Sequence, residues 1–260
     1  MAIEWNDAPP RMPRLAPGQV DVWSVKLNPA PEQVEGLAAA LSSDEHERAG
    51  RFHFERDQRR YRCARGALRF LLAPYLDVDP EDVAFGYGPH GKPMLSAPFA
   101  GQLTFNVSHS GELALIAIGK DLDIGVDVEV VRPMEDADGI ASRFFAPKEA
   151  ERLRALPSRW RTRAFFACWT RKEAYLKALG SGLAKPLDAF EVTFAPGEAA
   201  GLVVYGNEAE TARWRVCDVS PDVGYAGALV TDGAVTVAGW RFAADRAGTR
   251  PKHPTTVEVV

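Results

Sequence analysis

The sequence predicts an α+β protein with two similar halves. A short helical pattern followed by a long one occurs twice, as "LSSDEHERAGRFHFERDQRRYRCARGALRFLLAPYL" and as "FAPKEAERLRAL" with "TRAFFACWTRKEAYLKAL". Alternating apolar and polar residues, typical of strands, follow both patterns. Cys63 and Cys168 lie at similar places in the two long patterns. Because the elements recur in the same order, we expect two α+β halves with a site between them.

The first half begins with a predicted strand and helix. "VDVWSVKL" (20–27) alternates as a strand does, and a short helix is expected over 31–41. The long pattern then opens with Ser42 or Ser43 as N-cap and acidic residues in its first turn, so we predict helix throughout it. "VAFGYGPHGKPML" predicts a strand and a turn rich in Gly and Pro.

Further strands follow in both halves. "LTFNVSHSGELALIAIG" predicts two strands joined near Ser110 and Gly111, and "IGVDVEVV" predicts a third after a tight turn at 120–123. The second long helix is expected to end at Gly180. Later strands are predicted at "FEVTFA", "ARWRVCDVS", "GYAGALVTD" and "AVTVAGW". We place the halves at 1–122 and 123–245 and expect 246–260 to be a flexible tail.

The composition restricts the class of protein. The 260 residues are 46% hydrophobic and 25% charged, as in globular proteins, and the net charge of -4 argues against nonspecific binding of nucleic acid. Cys63, Cys168 and Cys217 lack the spacing of a zinc site or a disulfide framework. Neither a signal peptide nor a membrane-spanning apolar run is evident. We therefore expect a soluble, cytoplasmic protein without nucleic-acid or membrane partners.

Two carboxylates share one face of the predicted strand "IGVDVEV". Asp127 and Glu129 are two residues apart, roughly 6 to 7 Å between Cα atoms, so they can converge on one cation. Gly125 on the same face would leave room for a ligand. The alternative is a solvated strand face, which is the commoner meaning of an isolated D-x-E.

Other candidate residues lie on the second long helix and on neighbouring segments. Glu173 and Lys177 form an i, i+4 pair, which is either an ordinary surface pair or a third carboxylate with a phosphate-binding lysine. In "FNVSHS", hydroxyls and an imidazole can donate to phosphate, although a turn or packing role is the alternative. The first long pattern is rich in arginine, and most of these must be solvated.

Five motifs resemble those of the two-domain, surfactin-type 4'-phosphopantetheinyl transferases. They are "GKP" at 91–93, "FNVSHS" at 105–110, "IGVDVE" at 124–129, "RFFAPKE" at 143–149 and "WTRKEAYLKALGSGL" at 169–183. The resemblance implies a pseudo-twofold α+β fold that binds coenzyme A and Mg2+, with Mn2+ as an alternative, between its halves. It implies transfer of phosphopantetheine to a serine of an apo acyl or peptidyl carrier protein. The "WTRKEA" form resembles the broad secondary-metabolism branch more than the short trimeric fatty-acid branch, and the length agrees with a monomer.

The resemblance also implies roles for matching residues. Asp127, Glu129 and Glu173 would bind the metal ion, and Glu173 and Lys177 would be catalytic, with Glu173 as the candidate base. Glu45 stands where some members have a basic residue. The residues implied to contact coenzyme A are Arg48, Arg60, Lys92, Ser108, His109, Asp127, Glu173 and Lys177.

Two other functions suit the same residues. Carboxylates and a lysine also serve magnesium-dependent phosphohydrolases and nucleases, which use water as the acceptor. A coenzyme A-binding module without turnover is the non-enzymatic alternative. The carrier docking surface is expected to include the segment 132–145, "RPMEDADGIASRFF", although its two phenylalanines can equally belong to the core.

Overall fold

The computed structural model describes residues 3–9, 15–88, 91–180 and 185–245. Its strands are β1 (Trp5–Asp7), β2 (Gln19–Lys26), β3 (Phe85–Tyr87), β4 (Pro93–Leu95), β5 (Thr104–Ser110), β6 (Leu113–Gly119), β7 (Ile124–Val130), β8 (Phe190–Val192), β9 (Leu202–Val204), β10 (Trp214–Asp218), β11 (Tyr225–Asp232) and β12 (Thr236–Arg241). Its helices are α1 (Pro31–Ala38), α2 (Ser43–Gly50), α3 (Glu55–Leu76), α4 (Ala137–Phe144), α5 (Pro147–Ala155), α6 (Ser158–Leu179) and α7 (Glu208–Arg213).

The described chain forms two compact units. One contains all the strands and the helices α4 to α7, and the other contains α1 to α3 with residues 243–245. The predicted α+β class is confirmed. The pseudo-twofold relation and the division into 1–122 and 123–245 stay predictions, and the predicted tail at 246–260 lies outside the described residues.

Two sheets dominate the first unit. The larger has the order β1-β12-β2-β6-β5, and the smaller has the order β10-β11-β7, so β5 and β7 are edge strands. The predicted pair of strands at "LTFNVSHSGELALIAIG" is confirmed as the antiparallel β5–β6 hairpin. Gly111 in its turn has a φ of 58°, a left-handed conformation that favours glycine.

Strand β7 is buried because both of its faces are covered. Ile124, Val126 and Val128 are fully buried, and they share a hydrophobic cluster with Val20 and Leu115 of the larger sheet. Burial of each such side chain favours folding by about 1.5 to 3 kcal/mol. The apolar alternation of "IGVDVEV" therefore packs β7 onto the larger sheet, as the sequence predicts.

Helix α6 covers the other face of β7 at Gly125. A Cβ atom at this position would overlap the carbonyl oxygen of Ala174 and the amide nitrogen of Ala178, both in the backbone of α6. The prediction that Gly125 leaves room for a ligand is wrong, because the helix itself fills that space. Absence of a side chain here allows α6 to approach β7 closely.

The second unit corrects the prediction of one uninterrupted helix after Ser42. Helix α2 ends at Gly50, and α3 begins only at Glu55 because Phe54 has an extended backbone with φ -100° and ψ 133°. Ser42 is the N-cap, as predicted, and its amide donates to Glu45 at 3.0 Å in a capping box. The residues between the two helices, 51–54, contain neither proline nor glycine, so the sequence does not mark the break.

Glu45 is a structural residue of this unit. It is 2% exposed, and its carboxylate accepts hydrogen bonds from Arg65 and, at 2.7 Å, from Arg69, both on α3. Burial alone would raise the pKa of Glu45, but the hydrogen bond from Arg69 and the charge of Arg65 outweigh it and hold that pKa below 4.5. Glu45 therefore fastens α2 to α3, which explains an acid at this position.

We expect Glu45→Gln to lower the free energy of unfolding by about 3 kcal/mol near neutral pH, because two buried arginines lose their counter-charge. A lowered folded-state pKa stabilises the fold above the unfolded pKa, and this stabilisation is lost as pH falls through the folded pKa. Urea unfolding against pH should therefore show wild type and variant converging in acid, whereas Glu47→Gln, on the exposed face of α2, should follow wild type. A difference in the free energy of unfolding between wild type and Glu45→Gln that stays constant into the acid range would contradict this role of Glu45.

The second half repeats this arrangement of short and long helix. Glu149 in α5 is 1% exposed, accepts from the Ala146 amide at 2.9 Å, and pairs with Lys172 of α6 at 2.7 Å. Lys172 also donates to the carbonyl oxygens of Leu187 and Phe190, each at 2.7 Å. A buried glutamate held by a cation of the following helix therefore occurs in both helix pairs, whereas the repeat of two whole halves stays a prediction.

Helix α6 ends as predicted. Gly180 has a φ of 65°, and its amide donates to the carbonyl of Lys177 at 3.3 Å.

Within the described part of the chain, no helix is both long enough and apolar enough to span a membrane.

Candidate active site

A triangle of polar side chains joins β5, β7 and α6. Ser108 donates to Asp127 Oδ1 at 2.7 Å, and Lys177 Nζ donates to the same oxygen at 2.7 Å and to Ser108 Oγ at 2.9 Å. Lys177 of α6 therefore forms an ion pair with Asp127 of β7. Three predicted site residues, Ser108, Asp127 and Lys177, are in contact. Its ammonium also reaches the carbonyl of Val126 at 3.2 Å.

The other oxygen of Asp127 lacks such partners. Oδ2 is buried and has no hydrogen-bond partner among the described residues. A buried carboxylate oxygen normally has one, because removing it from water without compensation is costly. This oxygen is thus available to a cation or another donor.

Side chains of β5 form a row along the edge of β7. Asn106 Oδ1 accepts from the amide of Val126 at 2.8 Å, and Ser110 Oγ accepts from the amide of Val130 at 3.2 Å. Ser110 also donates to Glu129 Oε2 at 2.6 Å. Ser108 and Ser110, two residues apart on one strand, therefore each orient one acid of the D-x-E pair.

Electrostatics couple the three carboxylates. Burial raises the pKa of Glu173, and the negative charges of Asp127 and Glu129 add to the rise while Lys177 opposes it. Burial likewise raises the pKa of Glu129, with a further increase from Asp127 and a decrease from the Ser110 hydrogen bond. Glu173 and Glu129 thus lie in a locally acidic environment that favours a proton or a cation.

Two observations bear on a metal ion. Among the residues described, no group of three or more His, Cys, Asp or Glu side chains is arranged so that it could hold one. The donor chemistry nevertheless fits a hard divalent cation, because such ions prefer carboxylate oxygens and Asp127 Oδ2 is buried without a partner. Asp127 and the neighbouring acids Glu129 and Glu173 are therefore candidate ligands, although this structure does not arrange the three side chains as a metal site.

The remaining predicted site residues lie elsewhere. His109 is an exposed residue of β5, and Lys92 donates to main-chain oxygens of β7 and α6. Arg48 lies over the Tyr61 ring at 5.7 Å, and Arg60 approaches Asp57 at 3.6 Å. Both arginines belong to the second unit, and their role at coenzyme A stays a prediction.

Sequence comparison decides the family. The chain is 42% identical over 239 residues to "4'-phosphopantetheinyl transferase HetI" of Nostoc sp., a match that covers 91% of this chain and 95% of the relative. The chain belongs to the two-domain 4'-phosphopantetheinyl transferase family. It is therefore a transferase of the phosphopantetheinyl group.

Two family models and a further relative agree, and one solved structure shows a weaker likeness. The model of the 4'-phosphopantetheinyl transferase superfamily matches residues 123–233, and that of the 4'-phosphopantetheinyl transferase N-terminal region matches 25–120. "4'-phosphopantetheinyl transferase Sfp" of Bacillus subtilis is 31% identical over 161 residues, 62% of this chain and 70% of the relative. The crystal structure of Thermotoga maritima holo-[acyl-carrier-protein] synthase is 23% identical, with a TM-score of 0.34, over 43% of this chain and 63% of that one.

Two contacts of this transferase were missed from the sequence. The sequence does not predict that Asn106 accepts a hydrogen bond from the backbone of β7, and it indicates Ser110 only as a phosphate donor. The signal was present, since Asn106, Ser108 and Ser110 alternate with apolar or exposed residues along one face of β5. What the alternation could not show is that this face meets the edge of another sheet.

Proposed function

We propose that the enzyme transfers 4'-phosphopantetheine from coenzyme A to a serine of an apo acyl or peptidyl carrier protein. The products are holo-carrier and adenosine 3',5'-bisphosphate. The observation that carries the proposal is the contact of Lys177 with Asp127 and Ser108. This contact lies beside Glu129 and Glu173, and the chain belongs to the transferase family. The resemblance of "WTRKEA" to the secondary-metabolism branch supports carriers of that kind, and the enzyme is further proposed to be a cytoplasmic monomer.

The acidic cluster is the proposed magnesium site. Asp127, Glu129 and Glu173 would hold Mg2+ or Mn2+, which would neutralise charge on the pyrophosphate of coenzyme A. Support comes from the unpartnered oxygen of Asp127 and from the raised pKa values of the two glutamates.

Glu173 is the proposed base. The carrier serine oxygen would attack the β-phosphorus of coenzyme A, and the serine proton would pass to Glu173. The bond from that phosphorus to the bridging oxygen of the pyrophosphate would break, and this oxygen would leave as part of adenosine 3',5'-bisphosphate. Lys177 would stabilise the negative charge that develops on the departing phosphate.

The contacts with the rest of coenzyme A stay predictions. The resemblance supports Ser108 and His109 as coenzyme A contacts, and Arg48 and Arg60 as cations for its phosphates. Ser108 already contacts both Asp127 and Lys177, so a phosphate near it would also be near the proposed catalytic groups.

Part of the predicted docking segment 132–145 is suited to a carrier. Phe144, at the end of α4, is 39% exposed beneath the guanidinium of Arg143, whereas Phe145 is 2% exposed and belongs to the core. An exposed aromatic ring with a cation fits a partner that combines apolar and acidic groups. We propose that Phe144, and not Phe145, meets the carrier.

We expect Lys177→Met to lower kcat by roughly 10²- to 10³-fold with little change in the KM for coenzyme A, because the lost charge acts mainly in the transition state. The measurement is the rate of carrier modification at saturating coenzyme A. Lys148→Met, an exposed position of α5, removes the same charge and should keep wild-type turnover. An unchanged kcat in folded Lys177→Met would exclude Lys177 from the chemistry.

Intact-mass analysis tests the proposed function. Several apo-carriers are incubated with the protein, coenzyme A and Mg2+, and a gain of one phosphopantetheine on any carrier is expected. Release of free phosphopantetheine without a carrier would indicate a hydrolase instead. Binding of coenzyme A without transfer to any carrier would indicate a binding module.

A further inference from the structure

The side chain of Lys92 bridges the strand and the helix that carry the acidic cluster. Its ammonium donates to the carbonyl oxygen of Ile124 at 3.1 Å and to that of Lys177 at 2.6 Å. Ile124 is the first residue of β7, and Lys177 lies in the last turn of α6. Both acceptors belong to the main chain, so the contact depends on the paths of the two elements.

The chemical environment favours a cation held by carbonyl groups. The last carbonyls of a helix carry the negative end of its dipole, which a cation stabilises. The carbonyl of Lys177 accepts from the Gly180 amide at 3.3 Å, and its second lone pair is free to accept from Lys92. Lys92 is half-buried, and burial lowers its pKa, with Asp123 opposing and Lys177 adding to the decrease. Two main-chain acceptors offset part of the cost of burying this charge.

The bridge acts at the closest approach of α6 to β7. Gly125 follows Ile124 and packs directly against the backbone of α6 at Ala174 and Ala178. Lys177, whose carbonyl Lys92 contacts, immediately precedes Ala178. Lys92 thus holds β7 and α6 together at a place where a small shift of α6 would move the side chains of Glu173 and Lys177.

We propose that Lys92 is a positioning residue that fixes the end of α6 against the start of β7, and not a ligand of a coenzyme A phosphate as the sequence predicts. Its effect on turnover rests on the proposed function, because it acts through Glu173 and Lys177. Its effect on the folded protein rests only on the two hydrogen bonds.

Amide hydrogen exchange of Lys92→Met, without substrate, tests the bridge directly. Loss of the two hydrogen bonds should increase exchange about tenfold for amides of residues 174–180, because local opening becomes easier there. Lys120→Met removes the same charge from an exposed turn before β7 and should exchange as wild type does. Unchanged exchange at 174–180 in Lys92→Met would overturn the proposal, whether or not the enzyme modifies any carrier.

Kinetics with two donors separate positioning from phosphate binding. For Lys92→Met, positioning predicts that kcat falls about tenfold or more and that the KM values for coenzyme A and dephospho-coenzyme A change by the same factor. A KM increase for coenzyme A alone, with normal kcat, would establish a 3'-phosphate contact and overturn the proposal.

A second variant covers the case in which Lys92→Met does not fold. Lys92→Arg keeps the charge that a phosphate requires, but its planar guanidinium differs in shape from an ammonium that points at two carbonyls. We expect faster exchange at 174–180 and a lower kcat in Lys92→Arg. Wild-type exchange and wild-type kcat in this variant would contradict the positioning role.

Discussion

Asp127→Asn is expected to lower kcat by roughly 10²- to 10³-fold, the range for loss of one preorganised charged group. Asparagine keeps the shape of the side chain, and its oxygen can still accept from Ser108 and Lys177. It replaces the unpartnered Oδ2 with an amide group, which repels a cation. Turnover is measured as the rate of carrier modification at saturating coenzyme A and Mg2+.

Stability should change far less than turnover in Asp127→Asn. Lys177 loses a full counter-charge, but Glu129 and Glu173 lose a neighbouring charge that raises their pKa values, and the two effects oppose each other. Wild type should gain thermal stability when Mg2+ is added, and the variant should gain little. Asp123→Asn, which removes an exposed acid paired with Arg213, is the matched control. Near-normal turnover in folded Asp127→Asn would refute the metal-site assignment.

Gly125→Ala is expected to destabilise the protein by about 3 kcal/mol, within the upper range for overpacking. The added methyl group overlaps the backbone of α6 at Ala174 and Ala178, which cannot rotate away as a side chain could. Helix α6 must therefore move, together with Glu173 and Lys177. Displacement by about 1 Å can reduce turnover by roughly 10²-fold.

Urea unfolding and carrier modification measure the two effects of Gly125→Ala. Gly201→Ala is the control, because its nearest neighbour to a new Cβ would be Thr193 Cγ2 at an ordinary 3.6 Å. Wild-type stability and turnover in Gly125→Ala would show that α6 does not pack on β7 as described.

Strand positions around the site could be predicted because they depend on local patterns. The alternation of "IGVDVEV" and the turn at Gly111 correspond to β7 and to the β5–β6 hairpin. The break between α2 and α3 could not be predicted, since it arises where Phe54 becomes extended within a sequence that remains helical in pattern. Local periodicity cannot report such a change when tertiary packing determines it.

The side-chain partners were less predictable than the elements. The acids of β7 and the lysine of α6 were found from motif order, but the carbonyl contacts of Lys92 leave no periodic signal. Gly125 shows the same limit, because a glycine indicates a close approach without identifying the neighbour. In this protein the neighbour is a helix.

The row of side chains on β5 has a consequence for solubility. Strands β5 and β7 are both edges, and an open edge can pair with a strand of another molecule. Asn106 and Ser110 occupy backbone amides of β7 at Val126 and Val130. The side chains that support the acidic cluster therefore also prevent a strand of another molecule from pairing with the edge of β7. We expect that loss of the Asn106 side chain would both promote aggregation and disturb the site.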